Sequence, residues 1–252
     1  MIRTWTRTAS VAMALLALLL GTIASAQSDE RALQLLEGMQ RADPFAGLTL
    51  EMLETVMVMV SHGAAESEIR MRTVIDYVGR RALIESDLGG GMRTSIRVVD
   101  GRVTMIVAGD EVALPPAMAA LYDAIFDAAS TAFDLADTEA RYDGMRAYGN
   151  LVEGEQVTVR GAALLGFDAL APELGGEIEV AYLFDDAGRV LASVGTTAEG
   201  PMLMLLDDPE DPGSLAWASW RGYLLTHDGP ELTMSVRYEL VRVNEPIADG
   251  TF

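Results

Sequence analysis

From Arg93 to Val107 the chain reads RTSIRVVDGRVTMIV, two apolar-alternating runs that meet at Asp100-Gly101. A type I′ turn needs positive φ at both central positions and therefore selects Asp-Gly, so the runs must pair as a tight hairpin. Alternation then fixes which side chains share a side. Ile96 and Val98 fall with Val103, Met105 and Val107, while Arg97, Arg102 and Thr104 point the other way. A ribbon with one apolar side needs a second layer to cover it. The covering element follows in sequence: Pro115-Pro116 suits a helix start, and Met118, Leu121, Tyr122, Ile125, Ala129 and Phe133 recur at helical spacing through Asp134.

The rest of the chain repeats this pattern. Ser28 to Ala42 is expected as a short amphipathic helix with Ala32, Leu35, Leu36 and Met39 as its apolar stripe. Leu48 to Val60 alternates with Leu48, Leu50, Met52, Val56, Val58 and Val60 on one face. The run EIRMRTVIDYV puts Ile69, Met71, Ile75 and Tyr77 opposite Glu68, Arg70, Arg72 and Asp76, and a sheet with one wet side is antiparallel. ALIESDL gives another strand, whereas Thr138 to Asn150 has a mixed pattern that predicts a polar connection. Strands resume with GEQVTVRGAAL, then GEIEVAYLF with Ile178, Val180, Tyr182 and Phe184 aligned, then RVLASVGTT after a turn at Asp185-Asp186-Ala187-Gly188. Met202–Leu206, Leu215–Leu225 and Leu232–Val243 follow, the last with Leu232, Met234, Val236, Tyr238 and Leu240 on one face. About 9–11 strands exceed what an open sheet usually carries without curling. The expected fold is mainly β (α+β), a strongly curved antiparallel sheet or incomplete β-barrel with helices capping its concave face.

Residues 1–26 carry Arg3 and Arg7, an apolar run from Val11 to Leu20, and Ala24-Ser25-Ala26, the order of a cleaved signal peptide. Export to a periplasm is expected, with cleavage after Ala26 and residues 27–252 forming a single domain. The chain has no cysteine, so neither a disulfide nor a lipid-modified cysteine is open to it. Its formal charge of -20 becomes more negative once the arginines of the leader are removed. Such a surface excludes nucleic acid and limits contact with anionic membranes to transient encounters.

Chemistry-bearing motifs are sparse. The two histidines, His62 and His227, sit in expected turns, and no nucleophile elbow, zinc helix or phosphate loop occurs. Asp207, Asp208, Glu210 and Asp211 cluster, but Pro209 and Pro212 break the spacing of a calcium loop. No enzyme activity, cofactor or metal is expected. What stands out is methionine, an adaptable apolar side chain that fits irregular ligands and also serves as core filler.

Strand order, the IRVVDGRVTMIV hairpin and the ending VRVNEPIADGTF together resemble the LolA/LolB-like family of bacterial envelope lipoprotein carriers. The residues that carry the likeness are Asp100-Gly101, Asn244, Pro246, Ile247, Asp249 and Phe252. The resemblance implies an unclosed antiparallel barrel whose apolar face takes up acyl chains of lipoproteins or other lipids. On this chain the cavity candidates become Ile69, Met71, Ile75 and Tyr77, then Ile96, Val98 and Met105. Ile178, Val180, Tyr182, Met234, Val236 and Tyr238 complete them, with Leu121, Tyr122, Ile125 and Phe126 in the lid. An arginine latch for the lid falls at Arg80-Arg81, with Ala82 where the family has proline. Implied partners are the cargo and donor and acceptor envelope proteins, with the carrier a monomer. An envelope protein that uses this fold to bind a protein partner without lipid is the alternative.

Overall fold

The computed structural model describes residues 30–45, 47–63, 66–112, 126, 139–160, 179–197, 199–208, 210, 218–248 and 250–252. Residues 30–42 form helix α1. The first six strands are β1 (Met52–Ser61), β2 (Ser67–Asp76), β3 (Arg81–Asp87), β4 (Arg93–Val99), β5 (Arg102–Val107) and β6 (Asp110–Val112). The remainder are β7 (Glu139–Tyr148), β8 (Val152–Arg160), β9 (Glu179–Phe184), β10 (Val190–Thr197), β11 (Gly200–Leu206), β12 (Trp220–Thr226) and β13 (Gly229–Val243). All belong to one curved, open antiparallel sheet in the order β6-β5-β4-β3-β2-β1-β13-β12-β11-β10-β9-β8-β7. Every neighbouring pair is consecutive in sequence except β1 and β13, which join the two halves from Leu53↔Val243 to Ser61↔Met234.

The sheet therefore has thirteen strands among the described residues rather than about 9–11 as expected. One of the additions is β7, which the sequence pattern predicted as a polar connection. Its alternation is broken where the register slips between Tyr142 and Gly144, a bulge in which Gly144 takes φ +78. The central hairpin is as expected: Asp100 and Gly101 have φ 52 and 72.

Register separates two faces. Leu53, Ile75, Ala82, Val98 and Val103 align across five strands and pack together with Phe126. On the same face at the other end, Ala140, Val157, Val159, Tyr182, Phe184 and Val190 pack against Ala32, Leu35, Leu36 and Met39 of α1. We call this the helix face. On the back face, Leu183, Ala192 and Leu203 are fully covered. Tyr148, Leu151 and Val152 from the β7–β8 hairpin pack on them, and a Cβ on Gly149 at its tip would lie 3.3 Å from Pro230 in the β12–β13 turn. That hairpin thus folds over the back of its own sheet. Close approach is possible because β8 carries Gly154, where a Cβ would sit 2.4 Å from the carbonyl oxygen of Phe184.

Of the expected helical caps, α1 is described. The expected lid helix lies outside the described residues apart from Phe126, which is 5% exposed. Phe126 belongs to the connection between β6 and β7, the two opposite edges of the sheet.

Candidate functional site

Between the Phe126 patch and the α1 patch, the helix face is made by β2, β1, β13, β12, β11 and β10. Met57 stands opposite Met71 on one side and Tyr238 on the other, and Met59 stands opposite Ile69 and Val236. Val236 faces Trp220, and Met234 faces Gly222, which faces Met204. Met202 lies two residues along β11 on the same side, beside Gly195. Gly222, Ser193 and Gly195 lower the floor here, and a Cβ on Gly195 would meet nothing within 4 Å. These methionines, Val236 and Tyr238 are half-buried and belong to none of the buried clusters, in contrast to the patches on either flank. Among the described residues of β2, β1, β13, β12, β11 and β10, the rows of this face from Met57 to Met204 carry no charged side chain, and the exposed Glu231 enters one row further on, opposite Leu224 and in line with Met202.

Each flank is pinned by an arginine. Arg80, in left-handed conformation at φ 47, lies over the ring of Phe126 at 5.2 Å. Arg81 points to the back face, where its Nε donates to Asp76 at 3.0 Å and its guanidinium lies 4.6 Å from the ring of Phe252. Asp76 was expected on a wet surface and is instead 6% exposed. Burial pushes its carboxyl up, but the Gly79 and Arg81 hydrogen bonds outweigh that and hold it below the usual carboxylate range. Beside this turn, burial pushes the Tyr77 hydroxyl up to about 12, so its phenol stays neutral. At the other flank Arg31 of α1 forks onto Glu155 at 2.7 and 2.8 Å, which fixes the helix on β8.

The back face has the opposite character. Glu54, 8% exposed, accepts from Arg72 at 2.9 Å and from Arg242 at 3.1 Å; Arg72 also reaches Glu85, and Arg70 pairs with Glu239. These pairs run across β13, β1, β2 and β3, and Arg70, Arg72 and Glu85 line a polar cleft of about 580 Å³ with Asp87, Arg93 and Ser95. His62 also points this way, its Nε2 2.8 Å from Ser235 Oγ. No group of three or more His, Asp or Glu residues suited to a metal occurs among the described residues.

The strand candidates named from the sequence all reach the helix face: Ile69, Met71, Ile75, Tyr77, Ile96, Val98, Met105, Val180, Tyr182, Met234, Val236 and Tyr238. Ile75 and Val98 are sealed under Phe126, and Tyr182 under α1. Leu121, Tyr122, Ile125 and Ile178 lie outside the described residues. Of the five β13 residues expected on one face, Met234, Val236 and Tyr238 share it, because register shifts on either side turn Leu232 and Leu240 to the back. In β1 the expected apolar face, Met52, Val56, Val58 and Val60, is the back face. Sequence reasoning therefore missed Met57 and Met59, and with them Met202, Met204, Trp220 and Gly222. VMVMV is apolar at both parities, so alternation alone could not choose. The segregation of methionine to one parity, matching Met71 and Met234, is the signal that could have.

No family model matches the sequence, and no curated protein matches it. Solved structures to which the chain is similar include a DUF1329 family protein from Desulfovibrio piger, 11% identical over 88% of this chain and 95% of that one, with a TM-score of 0.46. A putative outer membrane lipoprotein-sorting protein domain from Vibrio parahaemolyticus is 10% identical over 88% and 95%, with a TM-score of 0.42. A LolA superfamily protein from Nitrosomonas europaea is 9% identical over 86% and 94%, with a TM-score of 0.38. At these identities the function rests on this chain's own residues. No described helix is long and apolar enough to cross a membrane.

Proposed function

We propose that this protein is a non-enzymatic periplasmic carrier that holds the acyl chains of a lipoprotein or another lipid against the helix face. The observation that carries this is the apolar, methionine-rich stretch between Phe126 and α1, whose methionines, Val236 and Tyr238 are half-buried and outside every packed cluster. Six strands about 4.8 Å apart make it roughly 24 Å across, comparable to an extended fatty acyl chain. Shielding such a chain from water is worth about 0.8 kcal/mol per methylene, whereas the exchange with a membrane is nearly even. Loose, adaptable methionines suit a carrier that must also release. On this reading the connection bearing Phe126 is the lid, Arg80 holds it closed through the ring, and the acidic surface keeps the loaded carrier from settling on anionic membranes.

The test is native mass spectrometry of residues 27–252 secreted by a diderm host and purified without detergent, followed by extraction and lipid analysis. Co-purifying acyl lipid or lipopeptide is expected. Val236→Asp, at the centre of the face, should abolish binding of a fluorescent fatty acid while strand content by circular dichroism is kept. A lipid-free mass with no uptake from vesicles refutes the carrier and favours a protein-binding role.

A further inference from the structure

We propose that Met204 and Met234, with Met202, form a binding site for a soft monovalent cation, Cu(I), above Gly222. A thioether is a neutral, soft donor that favours Cu(I) over zinc, calcium or magnesium. Without cysteine, thioethers are the only soft ligands this chain possesses.

The geometry is specific to this place. Met204 on β11 and Met234 on β13 sit in register on either side of Gly222 on β12. A Cβ on Gly222 would lie 2.5 Å from Met234 Cγ, 3.1 Å from Met204 Sδ and 3.2 Å from Met234 Sδ, so Met234 lies over the glycine and both sulfurs converge where a side chain at 222 would stand. Any larger residue at 222 would drive them apart. Met202 is the next residue of β11 on this face, and the open space over Gly195 beside it gives its three rotatable bonds room to bring a third sulfur in. The three side chains are half-buried, reachable by an ion yet sheltered from water.

Two features support a cation here. Trp220 precedes Gly222 on the same face of β12, and an indole ring attracts a cation placed against it. The row Ser61, Met234, Gly222, Met204 and Ser193 holds no carboxylate or imidazole, and the carboxylate nearest by register, Glu231, stands one row on beside Leu224 and Met202 and is exposed, so a cation that needs several oxygen ligands lacks them here. The formal charge of -20 enriches cations around the whole molecule. The site involves no lid and stands independently of acyl-chain carriage.

Delipidated protein should be titrated with Ag⁺, a redox-inert counterpart of Cu(I), following tryptophan fluorescence and the metal content by native mass spectrometry. Cu(I) affinity is then read by competition with a chromophoric chelator under reducing conditions. One ion per chain with quenched fluorescence is expected. Met204→Leu and Met234→Leu, which conserve volume, should each weaken binding at least tenfold with unchanged circular dichroism. Met92→Leu, in an exposed turn, should bind as the original chain does. Failure of the original chain to take up Ag⁺, or equal uptake by the Met204→Leu/Met234→Leu double variant, overturns the proposal.

Discussion

Phe126→Ala tests whether the connection between the two sheet edges is fastened to the helix face. The ring is 5% exposed and packs on Leu53, Ile75, Ala82 and Val98, contributed by β1, β2, β3 and β4. Truncating a buried phenylalanine costs about 3–5 kcal/mol, and the Arg80 guanidinium over the ring adds about 0.5–1 kcal/mol. Partial collapse of the connection into the gap places the expected loss near the lower end, about 3 kcal/mol. With a urea m-value of about 3 kcal/mol/M for a chain this large, the midpoint should fall by about 1 M at unchanged slope. Urea titration followed by far-UV circular dichroism measures this directly. Phe126→Leu should lose only about 1–1.5 kcal/mol, and a double-mutant cycle with Arg80→Ala should recover a coupling of about 0.5–1 kcal/mol. A loss below about 1 kcal/mol for Phe126→Ala would refute the packing and, with it, the role of Arg80 as a clasp.

Gly154→Ala places a methyl group against the Phe184 carbonyl, with backbone on both sides, and should destabilise by about 2 kcal/mol or more, read as a lower thermal midpoint. A neutral result means that the hairpin does not fold over β9. Asn244→Ala removes acceptance from the Glu51 and Met52 amides at 2.7 and 3.1 Å and donation to the Thr49 carbonyl at 3.0 Å, and it puts alanine at φ 55. The expected cost is about 2–3 kcal/mol by urea titration. Asp76, Asp143 and Asp185 are pushed up by burial but held below the usual range by their hydrogen bonds, and Glu155 is lowered chiefly by Arg31. Lowered carboxylates stabilise fully above their unfolded values of about 4 and lose that contribution as pH falls through the folded ones. The urea midpoint should therefore hold from pH 7 to about 5 and drop steeply below about 4. A midpoint that rises on acidification would reverse the assigned shifts.

The sheet was legible wherever one parity of a strand was apolar and the other charged. β2, with Ile69, Met71 and Ile75 against Arg70, Arg72 and Asp76, and the Asp100-Gly101 hairpin were fixed by pattern and turn chemistry alone. β1 was not, because a central strand covered on both faces is apolar at both parities, and Val58 on the back is as buried as the core. Bulges hid the rest: one disguised β7 as a connection, and two in β13 moved Leu232 and Leu240 off the face that Met234, Val236 and Tyr238 occupy. Nor could periodicity reveal the wet-looking acids that end up covered. Glu54 and Asp76 are enclosed by arginines drawn from β2, β3 and β13, an arrangement that exists only once the strands are in register.

Asn244, one of the residues that carry the family resemblance, has a structural role at the seam between β13 and β1. Every other strand pair is formed between consecutive strands, but β1 and β13 are the first and last strands in sequence and meet in the middle of the sheet. Closing so long a loop costs about 2–3 kcal/mol more than closing a ten-residue one. Asn244 meets that cost where the seam ends, its amide donating to Met52 at 2.8 Å while its side chain ties Thr49, Glu51 and Met52. The same seam runs through the middle of the candidate site. Met57 and Met59 come from one side of it, and Met234, Val236 and Tyr238 from the other. The methionine-rich face therefore exists only when the two halves are joined, and a ligand resting on it must stabilise the seam by the free energy with which it binds, about 2.7 kcal/mol at a hundredfold excess over its dissociation constant. Weakening Asn244 should accordingly lower stability and acyl affinity together, whereas a defect in the distant β7–β8 hairpin should lower stability alone.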